Sequence, residues 1–102
     1  MIQRVTKFPN RVEVLLESGE VKGISSFDGD LLGWDRTTYA VARGRVAQVY
    51  DGYGQQQWSL SIPSGWSDLR WDGQYFTYLV DGTFQYVCEP NGRTVSGPVN
   101  IR

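Results

Sequence analysis

The sequence predicts an all-β protein, an antiparallel meander of repeated hairpins in one domain. No window of about a dozen residues keeps apolar residues at helical spacing without a Gly or Pro. Several segments alternate apolar and polar residues, which is the period of a strand. The 12 glycines among 102 residues recur at the intervals expected of turns between short strands. The sequence leaves open whether the hairpins form propeller-like blades, a small sandwich or a barrel.

Two segments, residues 11–17 and 58–62, alternate most clearly. The apolar positions expected to face a core are Val12, Val14 and Leu16 in the first segment and Trp58, Leu60 and Ile62 in the second. Residues 75–80 are apolar or aromatic at both strand faces, which predicts a central strand covered on each side.

The meander contains an imperfect repeat of strand, Gly-containing tip, strand, second Gly turn and shorter strand. Its three copies cover approximately residues 11–34, 35–63 and 68–101. The predicted tips are Ser18-Gly19-Glu20, Arg43-Gly44-Arg45 and Asp81-Gly82-Thr83, and the last two copies begin at Trp34-Asp35 and Trp71-Asp72. The unit resembles a generic propeller blade. Since closed propellers need at least about four blades, three such units would need self-association to complete a ring.

Charge and residue usage exclude several function classes. The formal net charge is −1, from 10 basic and 11 acidic residues without blocks, so no basic stripe for nucleic acid is present. The chain has no His and one Cys, Cys88, which excludes Ser–His–Asp and Cys–His catalysis, the common zinc sites and an intramolecular disulfide. Cys88 is expected to be a buried, inert thiol.

The carboxylates offer no stronger signal. Asp28, Asp30 and Asp35 lie in a Gly-rich stretch and could supply oxygen ligands to calcium, but tight turns require the same residue types. Asp68 and Asp72 could form an acid–base pair, yet only their proximity in sequence supports it. We therefore predict neither an enzyme nor a metal or cofactor site.

The excess of aromatic residues, 14 % of the chain, is the main indication of binding. Trp66 follows Gly65 in a predicted loop and is expected to be exposed, whereas Trp34, Trp58 and Trp71 lie at core-like strand positions. The candidate binding residues are Trp66, Tyr53, Trp71, Arg43, Arg45 and Gln56. The Arg residues suit bidentate and stacking contacts with a protein, and Gln56 suits adaptable hydrogen bonding.

These observations favour a non-catalytic module that binds another protein, such as an inhibitor, an immunity-type protein or a viral accessory protein. One alternative is a small lectin-like module that stacks sugars on Trp66, Tyr53 and Trp71. Another is a subunit of a homo-oligomer in which sheet edges pair between copies. The sequence shows no secretory segment and no membrane span, so the expected location is the cytoplasm, and a virion-associated location stays open.

Overall fold

In a computed structural model, which describes residues 1–101, the chain forms eleven antiparallel strands and no helix. The strands are β1 (Ile2–Phe8), β2 (Arg11–Leu16), β3 (Val21–Ser25), β4 (Asp30–Trp34), β5 (Thr38–Arg43), β6 (Val46–Asp51), β7 (Gln56–Ser61), β8 (Trp66–Trp71), β9 (Phe76–Val80), β10 (Phe84–Cys88) and β11 (Thr94–Asn100). This confirms the all-β class. Residues 1–101 accordingly contain no helix long and apolar enough to cross a bilayer.

The strands form three sheets in chain order. Sheet 1 has the strand order β1-β2-β3, sheet 2 has β4-β5-β6-β7, and sheet 3 has β8-β9-β10-β11. Within each sheet, strands that follow one another in the chain pair antiparallel, so the predicted meander of hairpins is confirmed. Within residues 1–101 no sheet closes on itself.

Two hydrophobic cores hold the three sheets in a stack. Tyr39 and Val41 of β5 pack with sheet 1, while Ala40 of the same strand packs with sheet 3. Successive side chains of a strand point to opposite faces, so sheet 2 lies between the other two. The molecule measures 42 × 23 × 22 Å. A sheet of four strands about 4.8 Å apart fits within the two shorter dimensions, so the long dimension is the stacking direction.

Hydrogen bonds identify equivalent turns in the three sheets. The amide of Gly19 donates to the carbonyl of Leu16 at 2.9 Å, and Gly54 and Gly92 make the same bond to Asp51 and Glu89. Ser18-Gly19 therefore corresponds to the second turns of the later copies and is not the first copy's tip. That tip is Pro9-Asn10, between β1 and β2. It was missed because it has no glycine.

The sheets also correct the predicted repeat boundaries. The units are residues 2–25, 30–61 and 66–100, so β4 belongs to sheet 2 and not to a first copy spanning 11–34. Strand β1, which starts the first unit, was not predicted because Gln3 and Arg4 break its alternation. The register of β1 against β2 shifts between Ile2 and Arg4, which accommodates this break.

The segment 75–80 is a central strand, as predicted, but only one of its faces is covered. Strand β9 lies between β8 and β10 in sheet 3, which ends the stack. The strand buried on both faces is β5, where Tyr39 to Ala42 are all buried. The sequence pattern did not reveal that β5 is covered on both faces, because Ala is as compatible with a half-exposed strand as with a buried one.

Sheets 2 and 3 approach most closely where β4 passes β8. A Cβ on Gly33 would lie 1.9 Å from the carbonyl oxygen of Trp71, so this approach requires glycine. The Trp71 indole Nε1 donates to the hydroxyl of Thr38 at 3.0 Å and joins the same two sheets. Backbone contact and hydrogen bond together fix the spacing between β4 and β8.

Gly33→Ala should therefore destabilise the protein by about 2–4 kcal/mol, because either β4 or β8 must move. Gly44→Ala is the matched control, since its φ is also positive, at 59°, but nothing lies within 4 Å of the added Cβ. The control should cost about 1 kcal/mol, the penalty of a left-handed backbone. Urea unfolding measures both. Equal losses would contradict the close approach.

Tyr39 is the largest fully buried side chain of the core between sheets 1 and 2. Its ring stacks on Tyr50 with centroids 5.5 Å apart, and its hydroxyl finds no hydrogen-bond partner among residues 1–101. Burial, with smaller effects from Tyr50 and Asp51, raises the pKa of Tyr39 to about 12. The phenolate is therefore strongly disfavoured in the folded state.

This pKa predicts a loss of stability in alkali. Above pH ~10 the unfolded chain releases the Tyr39 proton that the folded chain retains, so the free energy of unfolding falls until about pH 12. The total loss is on the order of 2–3 kcal/mol. Below pH ~10 the Tyr39 hydroxyl is protonated in both states, so it adds no pH dependence to the free energy of unfolding. Tyr39→Phe should remove this slope and preserve stability at neutral pH, because the hydroxyl is unpaired. The free energy of unfolding of both proteins is measured against pH by denaturant unfolding. An equal fall in the two proteins above pH ~10 would contradict the prediction.

Candidate binding groove

A groove of about 540 Å³ opens between sheets 2 and 3, along the free edges of β4 and β8. The two strands touch at Gly33 and Trp71, near their last residues. The groove lies toward their first residues, where Asp30 and Trp66 line it. Local backbone irregularity favours this shape, because both strands change register against their neighbours, β4 between Leu31 and Gly33.

Trp66 is the main aromatic group of the groove. It is half-buried, and its ring stacks on Tyr78 with centroids 3.4 Å apart and planes 10° apart. Tyr78 in turn stacks on Tyr86, with centroids 5.5 Å apart. Burial raises the pKa of the Tyr78 hydroxyl, so that ring is neutral at physiological pH. The three-ring stack holds Trp66 in a fixed orientation.

The rest of the lining combines apolar and charged groups. Its apolar members, apart from Trp66, are Leu31, Leu32, Ala42, Ile62 and Leu69. Arg70 Nε donates to Asp68 Oδ1 at 3.1 Å, and both side chains are well exposed. Asp30 forms no ion pair within the part of the chain that the structure describes. The groove therefore offers one paired and one unpaired carboxylate beside an aromatic ring.

The hairpin tip Arg43-Gly44-Arg45 lies beside this groove. Gly44 is part of the lining, and the amide of Ile62 donates to the carbonyl of Arg45 at 2.7 Å. Both arginines are exposed. The guanidinium of Arg43 lies 4.9 Å from the ring centroid of Phe27, which directs it toward the sheet 1 side of the tip. Trp66, Arg43 and Arg45 thus lie on the same side of the stack, at the tip between β5 and β6.

Tyr53 and Gln56 lie at the opposite end of sheet 2. Tyr53 is 65 % exposed in the turn between β6 and β7 and lines a separate cavity of about 260 Å³ between sheets 1 and 2. Gln56 accepts a hydrogen bond from Gln48 at 3.3 Å on the neighbouring strand. The six candidate residues therefore do not form a single site.

Trp71 is buried, as its strand position predicts: it is 5 % exposed and its indole nitrogen is hydrogen-bonded inside the protein, so it is not available to stack a sugar. The other three tryptophans differ from expectation. Trp66 was expected in an exposed loop, but it is the first residue of β8 and is half-buried against Tyr78. Trp34 and Trp58 were expected in the core and are 38 % and 48 % exposed. The reason is their position on the edge strands β4 and β7, whose side chains have a neighbouring strand on one side only. Alternation in sequence does not distinguish an edge strand from a central one.

Two further carboxylates, Asp35 and Asp72, serve turns. Asp35 Oδ1 accepts hydrogen bonds from the amides of Thr37 and Thr38, at 2.9 and 2.8 Å, and Asp72 does the same for Gln74 and Tyr75. Burial raises the pKa of Asp35, but the bonds from Thr37 and Thr38 outweigh it and lower the pKa below its usual value. These two Asp residues mark the equivalent turns that open β5 and β9.

Residues 1–101 contain no group of three or more His, Cys, Asp or Glu side chains arranged to hold a metal ion. Cys88 is a free, buried thiol, as predicted, and burial raises its pKa. The groove between β4 and β8 presents a stacked ring, exposed charged groups and apolar side chains.

Comparison of the chain with protein-family models, with curated proteins and with solved structures found no match.

Proposed function

We propose that the chain is a non-catalytic binding module that takes a protein partner through the groove between β4 and β8. An inhibitor, an immunity-type protein or a viral accessory protein would be a module of this kind. The observation that carries the proposal is Trp66, a half-buried ring held by Tyr78 at the groove, with Asp30 and Arg70 beside it. Trp and Arg dominate the energetics of protein interfaces when apolar groups surround them.

Preorganisation supports this function. Ordering a mobile side chain on binding costs about 0.5–1.5 kcal/mol, and the stacked Trp66 has already lost that freedom in the folded state. The edge of β8 adds backbone groups that no strand pairs within residues 1–101. An extended segment of a partner can pair with such an edge.

The charges of the groove define the partner segment further. Among residues 1–101, Asp30 has no ion pair, while Asp68 is already matched by Arg70. A Lys or Arg side chain of the partner would be attracted to Asp30 and to the face of Trp66. We infer that the bound segment is extended and carries a basic residue. We also infer that the three sheets are propeller-like blades in an open arrangement, with the groove between two of them.

Asp30→Arg tests this function without touching the core. It should weaken binding of the protein partner about ten- to a hundredfold, because a basic segment then meets a like charge. Glu20→Arg, in the exposed turn between β2 and β3, is the matched charge reversal and should leave the affinity unchanged. The partner is first captured stoichiometrically from a lysate of the native source, and its affinity for each variant is then measured with purified proteins. Equal affinities of the two variants would place the binding surface elsewhere.

Sugar binding is the second candidate function, because a flat Trp66 ring beside Asp30 and Asp68 also suits a pyranose. Against it, Tyr53 lies at the opposite end of sheet 2 and Trp71 is buried, so the three rings do not converge. We expect no saturable change in Trp fluorescence when a panel of mono- and oligosaccharides is titrated. A saturable change that Trp66→Phe abolishes would replace the protein-binding proposal with the lectin reading.

A further inference from the structure

The registers of the three sheets identify equivalent strands. The last cross-strand pair before each tip is Phe8 with Arg11 in sheet 1, Arg43 with Val46 in sheet 2 and Val80 with Phe84 in sheet 3. Strand β1 therefore corresponds to β5 and β9, and β2 corresponds to β6 and β10. The strands β3, β7 and β11 follow them at the same edge of each sheet.

Sheet 1 lacks one strand of the repeat. In sheets 2 and 3 an inner strand, β4 or β8, precedes these three strands and pairs with the first of them. The two inner strands are equivalent, because Trp34 pairs with Tyr39 as Trp71 pairs with Phe76. Within residues 1–101 no strand occupies this position in sheet 1, where β1 pairs with β2 only.

The backbone of β1 is oriented to pair with a strand at this edge. In sheet 2, the carbonyl of Thr38 on β5 accepts the amide of Asp35, which ends the inner strand, at 2.9 Å. Alternate residues of an antiparallel strand direct their backbone groups to the same neighbour, so Ala42 also points toward β4. The equivalent of Ala42 in β1 is Lys7. Lys7 and Val5 therefore direct their amide and carbonyl groups away from β2, toward the edge that has no strand.

The equivalent residues Trp34 and Trp71 differ in exposure because of the missing strand. Trp71 is 5 % exposed, and the backbone of Gly33 in β4 lies directly against its carbonyl group. Trp34 is 38 % exposed. Both tryptophans lie on inner strands, but Trp71 has the inner strand of the previous sheet beside it. The strand that would lie beside Trp34 in the same way is the one that sheet 1 lacks.

We propose that the free edge of β1 is an acceptor site for an extended segment of a partner protein, which pairs with β1 and covers Trp34. The chemistry of this segment follows from β4, the strand in the same position of the next sheet. The residue against the Trp34 carbonyl must be glycine, because a Cβ on Gly33 would lie 1.9 Å from the equivalent carbonyl of Trp71. An apolar residue precedes this glycine and an aromatic residue follows it, as in β4.

Charge complementarity defines the start of the segment. In sheet 2, Asp30 at the start of β4 lies opposite Ala42. Lys7 holds the Ala42 position in β1, and its ammonium donates to the carbonyl of Phe8 but forms no ion pair among residues 1–101. An acidic residue at the Asp30 position of the segment would meet Lys7 across the strands, which is a favourable pair. The segment that fits β1 therefore has the pattern of residues 30–34.

Fluorescence anisotropy with a labelled peptide and the full chain tests the proposal. The probe has the sequence of residues 30–36 with Trp34→Phe, and it should bind the chain saturably below about 1 mM. Gly33→Val in the probe should abolish this binding, because the added side chain meets the carbonyl of the chain's Trp34. The tryptophan emission of the chain should also shift to shorter wavelength when unlabelled probe binds. Trp34→Phe in the chain should remove that shift.

Two variants of the chain at one position separate backbone pairing from side-chain contact. Lys7→Pro removes an amide that points to the free edge and not to β2, so it should abolish saturable binding of the probe and preserve the fold. Lys7→Thr is the matched control, which loses the same charge and keeps the amide, and it should weaken binding about fivefold or less. Circular dichroism and urea unfolding confirm that both variants are folded. If Lys7→Pro does not fold, the Gly33→Val probe and the Trp34 emission decide.

Three results would overturn the proposal. These are the absence of saturable binding, equal affinities of Lys7→Pro and Lys7→Thr for the probe, and self-association of the wild type that Lys7→Pro disrupts, since a second copy would then occupy the edge. The site is separate from the groove between β4 and β8, so Asp30→Arg in the chain should leave the affinity for the probe unchanged. A failure of partner binding in the groove is therefore distinguishable from a failure of strand pairing at β1.

Discussion

The stack depends on the burial of both faces of sheet 2. Its face toward sheet 3 carries three small side chains at its centre, Ala40, Ala42 and Ala47, beside Val49 and Leu60, while the facing side of sheet 3 carries large rings. Small and large side chains opposite one another fill the space between two sheets without voids. The close approach of Gly33 to Trp71 is the backbone counterpart of this arrangement. Without the small residues of sheet 2, the rings of sheet 3 would have no room to stack.

The same constraint explains what could be predicted from sequence. Alternation identifies β2 and β7, and an apolar run identifies β9, because side-chain period is a local property. The assignment of β4 to sheet 2, and the burial of β5 on both faces, depend on which sheets contact one another. That is a tertiary property. The tip at Pro9-Asn10 was invisible to a search based on glycine, although its hydrogen-bond position matches the other tips: Phe27 bonds to Asn10 as Ile62 does to Arg45.

The candidate groove shows the same division. Trp66 was chosen from sequence because it follows Gly65 and was expected in a loop, but it begins β8 and is half-buried, so the residue was chosen for a position that it does not have. Asp30 could not, because in sequence it is a turn residue like Asp28, and its place beside Trp66 arises from the approach of two edge strands 36 residues apart. Trp71 and Trp58 were both expected in the core, and only the first is buried, because Trp58 lies on the edge strand β7, which the sequence pattern does not reveal.

The charges of the groove are set by a local irregularity of β8. Asp68 holds a positive φ of 51° at the register shift of this strand, which brings its carboxylate to the guanidinium of Arg70 two residues later. Both side chains line the groove, so the negative charge of Asp68 is already matched there. A cation brought by a partner would therefore be attracted to Asp30 and not to Asp68.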